Sequence, residues 1–294
     1  MYIRTASAWG LGQPTLTCPR GKNAHFSTGG EYIRENDAAK LLALLSGPSC
    51  YQKYVQPVLK SKAASMLPRN FLRIVSSPSE VPKHLRGRFI KDGDKIVGGT
   101  IDRRTGTIYM IPAPGRQIDT RLEFALHEAV HLFAHPFLAI VDRKTFQNNY
   151  GTALFNIEDV GTFQRKYGFG LGEGATQVIA EQIMEAQGIT NYRENPYAEY
   201  TPVVRKLISI FSLDTFARAY FWGQINEFTQ AMDFHWGKDT WATKVAYLTN
   251  LKKTKEAVAE IDSLEQAYKK RFEDMIRSGP KGDFPTPSPF RSYV

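Results

Sequence analysis

Cysteine is scarce in this chain, whose 294 residues include only Cys18 and Cys50. Two cysteines are too few for a disulfide framework, and their spacing is not that of a metal-binding pair. A metal site in this protein therefore has to be built from His, Asp or Glu. A single bridge between Cys18 and Cys50 stays open.

The chain also lacks a long hydrophobic run. No stretch approaches the roughly 18 consecutive apolar residues of a membrane-spanning helix, and residues 1–30 do not contain the short apolar core of a secretory signal peptide. The sequence therefore predicts no membrane span and synthesis in the cytoplasm without a signal peptide. Residues 1–30 mix Gly, Pro, Ser and Thr and are predicted to form a flexible leader. Because a secretion or injection machinery can recognise such a leader, export or injection into a target cell stays open.

Negative charge is in deficit: 38 Lys and Arg residues face 29 Asp and Glu residues, which gives a formal net charge of +9. A positive surface attracts nucleic acid, anionic membranes and acidic partners alike. The basic residues are scattered, and no nucleic-acid-binding motif occurs with the required spacing. We therefore expect no specific nucleic-acid partner, and a basic nucleic-acid-binding protein is kept only as an alternative.

Hydrophobic periodicity predicts an α+β fold, with a small, mostly antiparallel sheet followed by a predominantly helical C-terminal part. Strands are expected at 71–75, 88–91, 95–97 and 107–111, with hairpin turns at Asp92-Gly93 and Thr105-Gly106. Helices are expected at 36–45, 51–66, 120–135, 172–188, 196–211, 214–222 and 224–234, and a long charged helical pattern covers 239–278.

These patterns also suggest a division of the chain after the leader. An N-terminal helical segment is expected at 31–69 and a catalytic domain at 70–236. C-terminal helices follow at 237–278. Residues 279–294 contain four prolines and are predicted to be disordered.

The motif that carries chemistry is His127-Glu128-Ala129-Val130-His131, which lies inside a predicted helix. Four residues make just over one helical turn, so His127 and His131 project from one face and can ligate the same ion. Glu128 lies about 100° round the helix from His127. Its carboxylate is then beside the metal, where it can accept a proton from a metal-activated water. The motif predicts a zinc site with Glu128 as the general base.

Tetrahedral zinc needs one more protein ligand if its fourth position is kept for water. The favoured candidate is Glu173, which lies in the first turn of a predicted helix between Gly172 and Gly174. Glycine at these positions lets another backbone approach closely. Other residues compete for the role of third ligand: His135, Glu158, Asp159 and Glu181.

With Glu173 included, the chain resembles the gluzincins, zinc peptidases in which His-Glu-x-x-His on one helix is completed by a glutamate on a later helix. The resemblance covers residues 105–235. It implies a zincin-like fold and one zinc ion per chain, bound by His127, His131 and Glu173. It further implies a zinc metallopeptidase, with a protein or peptide as substrate and Glu128 as general base.

The resemblance departs from one subgroup at Gln177. Thermolysin-like members have an aspartate four residues after the glutamate ligand, where it orients a zinc histidine. An amide at this position can also accept a hydrogen bond from a histidine. The helix after Gly172, taken with residues 197–221, also resembles peptidase domains of bacterial injected effectors and toxins.

A peptidase also needs a group that stabilises the oxyanion of its tetrahedral intermediate. Tyr197, Tyr200 and His235 follow the Glu173 helix, and Tyr200 is the favoured candidate. A zincin-fold binding module without catalytic activity is an alternative. The intact Glu128 argues against it, because a protein without turnover has no chemical reason to retain the base.

Overall fold

The computed structural model describes most of the central and C-terminal parts of the chain. Within the described residues the fold is mixed α+β, mainly helical with a small three-stranded sheet. These residues fall into two compact units, one within 15–134 and 176–196 and the other within 135–175 and 197–294. The described ranges are 38–63, 71–88, 90–91, 95–96, 99–102, 105–110, 122–134, 136–140, 146–150, 157–158, 166–167, 169–189, 197–224, 244–245 and 247–278.

The first unit begins with two helices, α1 (Ala38–Ser46) and α2 (Gln52–Ala63), which pack against each other. The leucines of α1 recur at the spacing of one helix face, and Leu41, Leu44 and Leu45 are fully buried. Both predicted N-terminal helices are therefore confirmed, the second as far as Ala63, since residues 64–66 lie outside the described part of the chain. Cys50, between them, is disulfide-bonded.

The three-stranded sheet of this unit consists of β1 (Leu72–Ile74), β4 (Gly99–Asp102) and β5 (Thr107–Met110) in the order β1-β5-β4. β4 pairs with β5 in antiparallel fashion, whereas β1 runs parallel to β5. The sheet is thus mixed and not mostly antiparallel as predicted. More than thirty residues separate β1 from β5, which is long enough for the crossover that a parallel pair requires.

Strand β4 was not predicted, because the sequence before it has two adjacent glycines and no clear alternation of apolar residues. The turn after it was predicted, and Gly106 has a φ of 73°, which glycine adopts without strain. A separate hairpin is formed by β2 (Ile90–Lys91) and β3 (Lys95–Ile96), at the place where the sequence predicted one.

Helix α3 (Leu122–Phe133) carries the motif and packs against α1, α2, β4 and β5. It ends two residues before the predicted end, because Pro136, the first residue of strand β6, cannot continue a helix. The apolar residues that the sequence assigned to the core are all buried: Leu122, Ala125, Leu126, Ala129, Val130, Leu132 and Phe133.

The second unit starts with two antiparallel hairpins that the sequence did not predict. They are formed by β6 (Pro136–Ile140) with β7 (Phe146–Tyr150), and by β8 (Ile157–Glu158) with β9 (Lys166–Tyr167). The expectation of a mainly helical chain after Asp119 is therefore wrong for this segment. The apolar run of β6 is too short for its periodicity to distinguish a strand from a helix.

Helix α4 (Phe169–Ala186) begins three residues before the predicted start and contains the boundary between the two units. Its end is confirmed, because Gly188 has a φ of 80° and its N–H donates to the carbonyl of Glu185 at 3.0 Å. The N–H of Ile189 donates to the carbonyl of Met184, also at 3.0 Å. This pair of bonds is the Schellman C-cap, in which glycine is favoured.

In the described residues, the second unit continues with the helices α5 (Thr201–Phe211), α6 (Leu213–Trp222), α7 (Tyr247–Asn250) and α8 (Thr254–Ser278). Helix α5 packs against α6 and α8. Lys206 of α5 forms salt bridges with two acids of α8: its Nζ atom lies 2.7 Å from Oδ1 of Asp262 and 2.5 Å from Oε2 of Glu265. These helices confirm the predictions for 214–222 and for the end of 239–278. The helix predicted at 196–211 is confirmed in its end, but it begins at Thr201 because residues 197–200 form a turn. The predicted helix at 224–234 lies outside the described residues. In the described part of the chain, no helix is long and apolar enough to cross a membrane.

Candidate metal centre

Helix α3 presents His127 and His131 side by side. Their ring centroids are 4.8 Å apart and the ring planes meet at 78°. His127 is 3% exposed and His131 is 8% exposed, so both imidazoles lie in the protein interior. Buried polar groups are stable only when they are hydrogen-bonded or bound to a metal, so each ring needs partners.

Helix α4 supplies one partner to each histidine. The Nδ1 atom of His127 lies 2.9 Å from Oε1 of Gln177, and Nδ1 of His131 lies 3.1 Å from Oγ1 of Thr176. Both rings therefore have a protein partner at Nδ1, so a metal ion would be bound through Nε2. The amide oxygen of Gln177, which from the sequence was only capable of accepting a hydrogen bond, lies at hydrogen-bond distance from His127.

Glu173 lies one turn before these partners on the same helix. It precedes Thr176 by three residues and Gln177 by four, so the three side chains share a face. The ligand atoms of His127, His131 and Glu173 all lie within 4.8 Å of one another. The structure thus brings together the three residues that the sequence assigned to the metal.

These three residues could together hold a metal ion. Ligand atoms of a tetrahedral zinc site lie about 3.4 Å apart when the bonds are about 2.1 Å long. The separation in this cluster, at most 4.8 Å, needs only small side-chain adjustments to reach that geometry. The two histidines are buried and Glu173 is half-buried, so the group is held in the interior and still has a side near solvent.

Glu128 points toward the sheet. A methyl group in place of the Gly99 hydrogen would lie 3.1 Å from Cγ of Glu128 and 2.8 Å from Sδ of Met110. A larger residue at this position of β4 would require Met110 and Glu128 to shift. Glu128 is half-buried and is not one of the three clustered ligands. The sequence analysis missed Gly99 because β4 itself was not predicted.

Tyr200 precedes α5 and lies against the beginning of α4. A methyl group at Gly170 would lie 3.1 Å from the tyrosine ring, and one at Gly174 would lie 2.8 Å from Cβ of Tyr200. The side chain is 8% exposed. Burial raises the pKa of Tyr200 above its ordinary value of 10.0, Lys252 lowers it, and Glu199 and Glu173 raise it further. Because the net shift is upward, the phenol keeps its proton and can donate a hydrogen bond at neutral pH.

The contact between Tyr200 and α4 predicts opposite effects for two neighbouring glycines. Gly174→Ala forces Tyr200 away from the helix and should lower the free energy of unfolding by about 1–3 kcal/mol. Gly172→Ala is the matched control, because a methyl group there meets nothing within 4 Å. It should raise stability by about 0.5–1 kcal/mol through helix propensity. Chemical denaturation of both variants measures the difference, and equal stability would contradict the close approach of Tyr200.

The remaining sequence candidates are not part of the cluster in the described structure. Glu181 is buried and accepts a hydrogen bond from Gln177, and Tyr197 stacks on Tyr200 at a centroid distance of 6.2 Å. The backbone of Glu158 is in β8, and its side chain is not described. Three candidates lie outside the described residues: His135, Asp159 and His235.

Thr176 is the functional candidate that the sequence analysis missed. Its spacing of three residues from Glu173 was an available signal, since residues at this spacing share a helix face.

Comparisons of the chain with protein-family models, with curated proteins and with solved structures find no match. The candidate site therefore stands on its own residues and their geometry.

Proposed function

We propose that this protein is a zinc-dependent peptidase of the gluzincin type with a zincin-like fold. The observation that carries the proposal is the convergence of His127, His131 and Glu173 from two helices, with their ligand atoms within 4.8 Å of one another. The packing of α3 on strands β4 and β5 supports it, because the motif helix then lies against the sheet, as the proposed fold requires.

In this proposal the metal is held by Nε2 of His127, Nε2 of His131 and the carboxylate of Glu173. A zinc ion there would lower the pKa of a water molecule and polarise the carbonyl of a peptide bond. With three protein ligands, a zinc ion bound here would keep a position for water and substrate.

Glu128 is the proposed general base and acid. It follows His127 on α3, and its side chain is half-buried against Gly99 of β4. Glu128 accepts the proton of the attacking water and donates it to the amine that leaves, and no covalent bond forms between enzyme and substrate. Tyr200 donates its phenol hydrogen to the oxyanion of the tetrahedral intermediate.

The proposed role of Tyr200 predicts that removing its hydroxyl lowers catalysis but leaves zinc binding unchanged. Tyr200→Phe keeps the ring that packs on Gly170 and removes only the hydrogen-bond donor. We expect kcat to fall by about a hundredfold while zinc affinity and stability stay close to those of the wild type. Tyr197→Phe is the matched control on the stacked neighbour. Loss of activity in Tyr197→Phe alone would transfer the role to Tyr197.

The proposed function is tested by metal analysis of the purified protein together with a peptide-library cleavage assay. We expect one zinc ion per chain, removal of both metal and cleavage by a chelator, and recovery of cleavage when zinc is restored. A protein that stays metal-free after zinc addition would overturn the proposal. Metal binding without cleavage of any library peptide would favour the inactive binding module instead.

A further inference from the structure

The amide of Gln177 lies between a proposed metal ligand and a buried acid. On one side its Oε1 atom is 2.9 Å from Nδ1 of His127. On the other side its Nε2 atom donates to Oε1 of Glu181 at 3.0 Å. Gln177 is 5% exposed and Glu181 is 3% exposed, so the chain of contacts lies in the interior. Glu181 follows Gln177 by one turn of α4, and its position is set by the helix.

The direction of this amide decides which nitrogen of His127 carries the hydrogen. With its oxygen toward the ring, Gln177 accepts a hydrogen bond, so Nδ1 of His127 has to be the donor. Nε2 then has a free lone pair, which is the form that binds a metal ion. With the amide turned over, its NH2 group would face Nδ1. The ring would then carry its hydrogen on Nε2 and could not act as a ligand there.

An amide has nearly the same shape in both orientations, so packing alone does not choose between them. Glu181 selects the orientation of this amide, because a carboxylate oxygen accepts a hydrogen bond from the NH2 group of Gln177 and repels its carbonyl oxygen. The corresponding contact of His131 is different. The hydroxyl of Thr176 can donate or accept, so this contact does not impose a direction on its ring.

We infer that Glu181 is a positioning residue of the metal centre, which acts through the Gln177 amide to hold His127 in the tautomer that binds metal. The inference rests on the proposed function for the identity of the ligands. Its first consequence does not need the metal. In the metal-free protein, His127 should already carry its hydrogen on Nδ1.

The test uses three variants of the full chain and two measurements. Glu181→Gln keeps the shape of the side chain, but its amide can present either its oxygen or its NH2 group to Gln177. The Gln177 amide then has no preferred orientation. The double variant Gln177→Glu/Glu181→Gln restores it, because the carboxylate introduced at position 177 accepts directly from His127, and the amide introduced at position 181 donates to that carboxylate. Glu185→Gln, at an exposed position one turn further along the same helix, is the matched control.

Nitrogen-15 NMR of labelled histidine in the metal-free proteins reports the tautomer of His127. We expect the Nδ1–H form in the wild type, the double variant and Glu185→Gln, and a mixture of tautomers in Glu181→Gln. Zinc affinity, measured by competition with a chromophoric chelator, should fall about 10- to 100-fold in Glu181→Gln. It should return to within about threefold of the wild type in the double variant.

The outcomes separate this inference from the proposed function. A wild type that binds no zinc overturns the peptidase proposal, while the tautomer measurement still tests the role of Glu181. If Glu181→Gln loses stability but keeps the wild-type tautomer and zinc affinity, Glu181 is only a structural residue and the inference is wrong. A double variant that fails to recover both properties also overturns it.

Discussion

Glu128→Gln should leave zinc affinity within about threefold of the wild type and reduce peptide cleavage by at least a factor of about one hundred. Glutamine has the same shape as glutamate and fits the space that Gly99 leaves beside β4. It cannot accept the proton of the attacking water, because a neutral amide is a very weak base. Glu128 is not one of the three clustered ligands, so the metal should remain.

Zinc affinity and kcat are measured on the same preparations of wild type, Glu128→Gln and the exposed control Glu185→Gln. The control should match the wild type in both. Loss of zinc from Glu128→Gln would show that this carboxylate is a ligand and that the general base is another group. Full activity in Glu128→Gln would remove the proposed mechanism altogether.

Glu173→Ala should lose zinc and activity together. Two histidines alone bind zinc far more weakly than three protein ligands, so we expect zinc affinity to fall at least about a hundredfold. Activity should stay low even at saturating zinc, because the ion would no longer be held in one geometry. Glu173 is half-buried in the first turns of α4, so its truncation to alanine leaves no buried cavity and the protein should remain folded.

Glu185→Ala, about three turns further along α4 and exposed, is the control for loss of a carboxylate from this helix. Its zinc affinity should equal that of the wild type. If Glu173→Ala binds zinc as tightly as the wild type, while Glu181→Ala binds none, the third ligand is Glu181. Glu181 would then replace Glu173 in the proposed ligand set, and α3 and α4 would still supply all three ligands.

Local patterns in the sequence determined the elements that carry the candidate site. The four-residue spacing of His127 and His131 places both on one face of any helix, whatever surrounds it. The glycine at 188 ends α4 because few other residues adopt its backbone conformation without strain. The burial of the apolar residues of α3 likewise follows from their period. Such features depend on residues close together in the chain, and the sequence predicted them.

The strands were predicted less well, because strand pairing joins residues that are far apart in the chain. The sequence of β1 does not indicate that Leu72 lies opposite Ile108 in a parallel pair. The run at β6 is too short to show a period, so its hairpin with β7 was missed. A strand with little apolar alternation, such as β4, is recognised only when its partner β5 lies beside it.

The tertiary structure alone decided what each polar side chain contacts. The sequence contained Gln177, Thr176 and Glu181 within one short segment, but their partners lie some fifty residues away on α3 or one turn along α4. A hydrogen bond requires atoms to meet within about 3 Å, and no local pattern specifies a distance between two helices. The sequence therefore determined which residues can bind a metal. The packing of the chain determined that Glu173 lies close to the two histidines and that Glu181 accepts a hydrogen bond from Gln177.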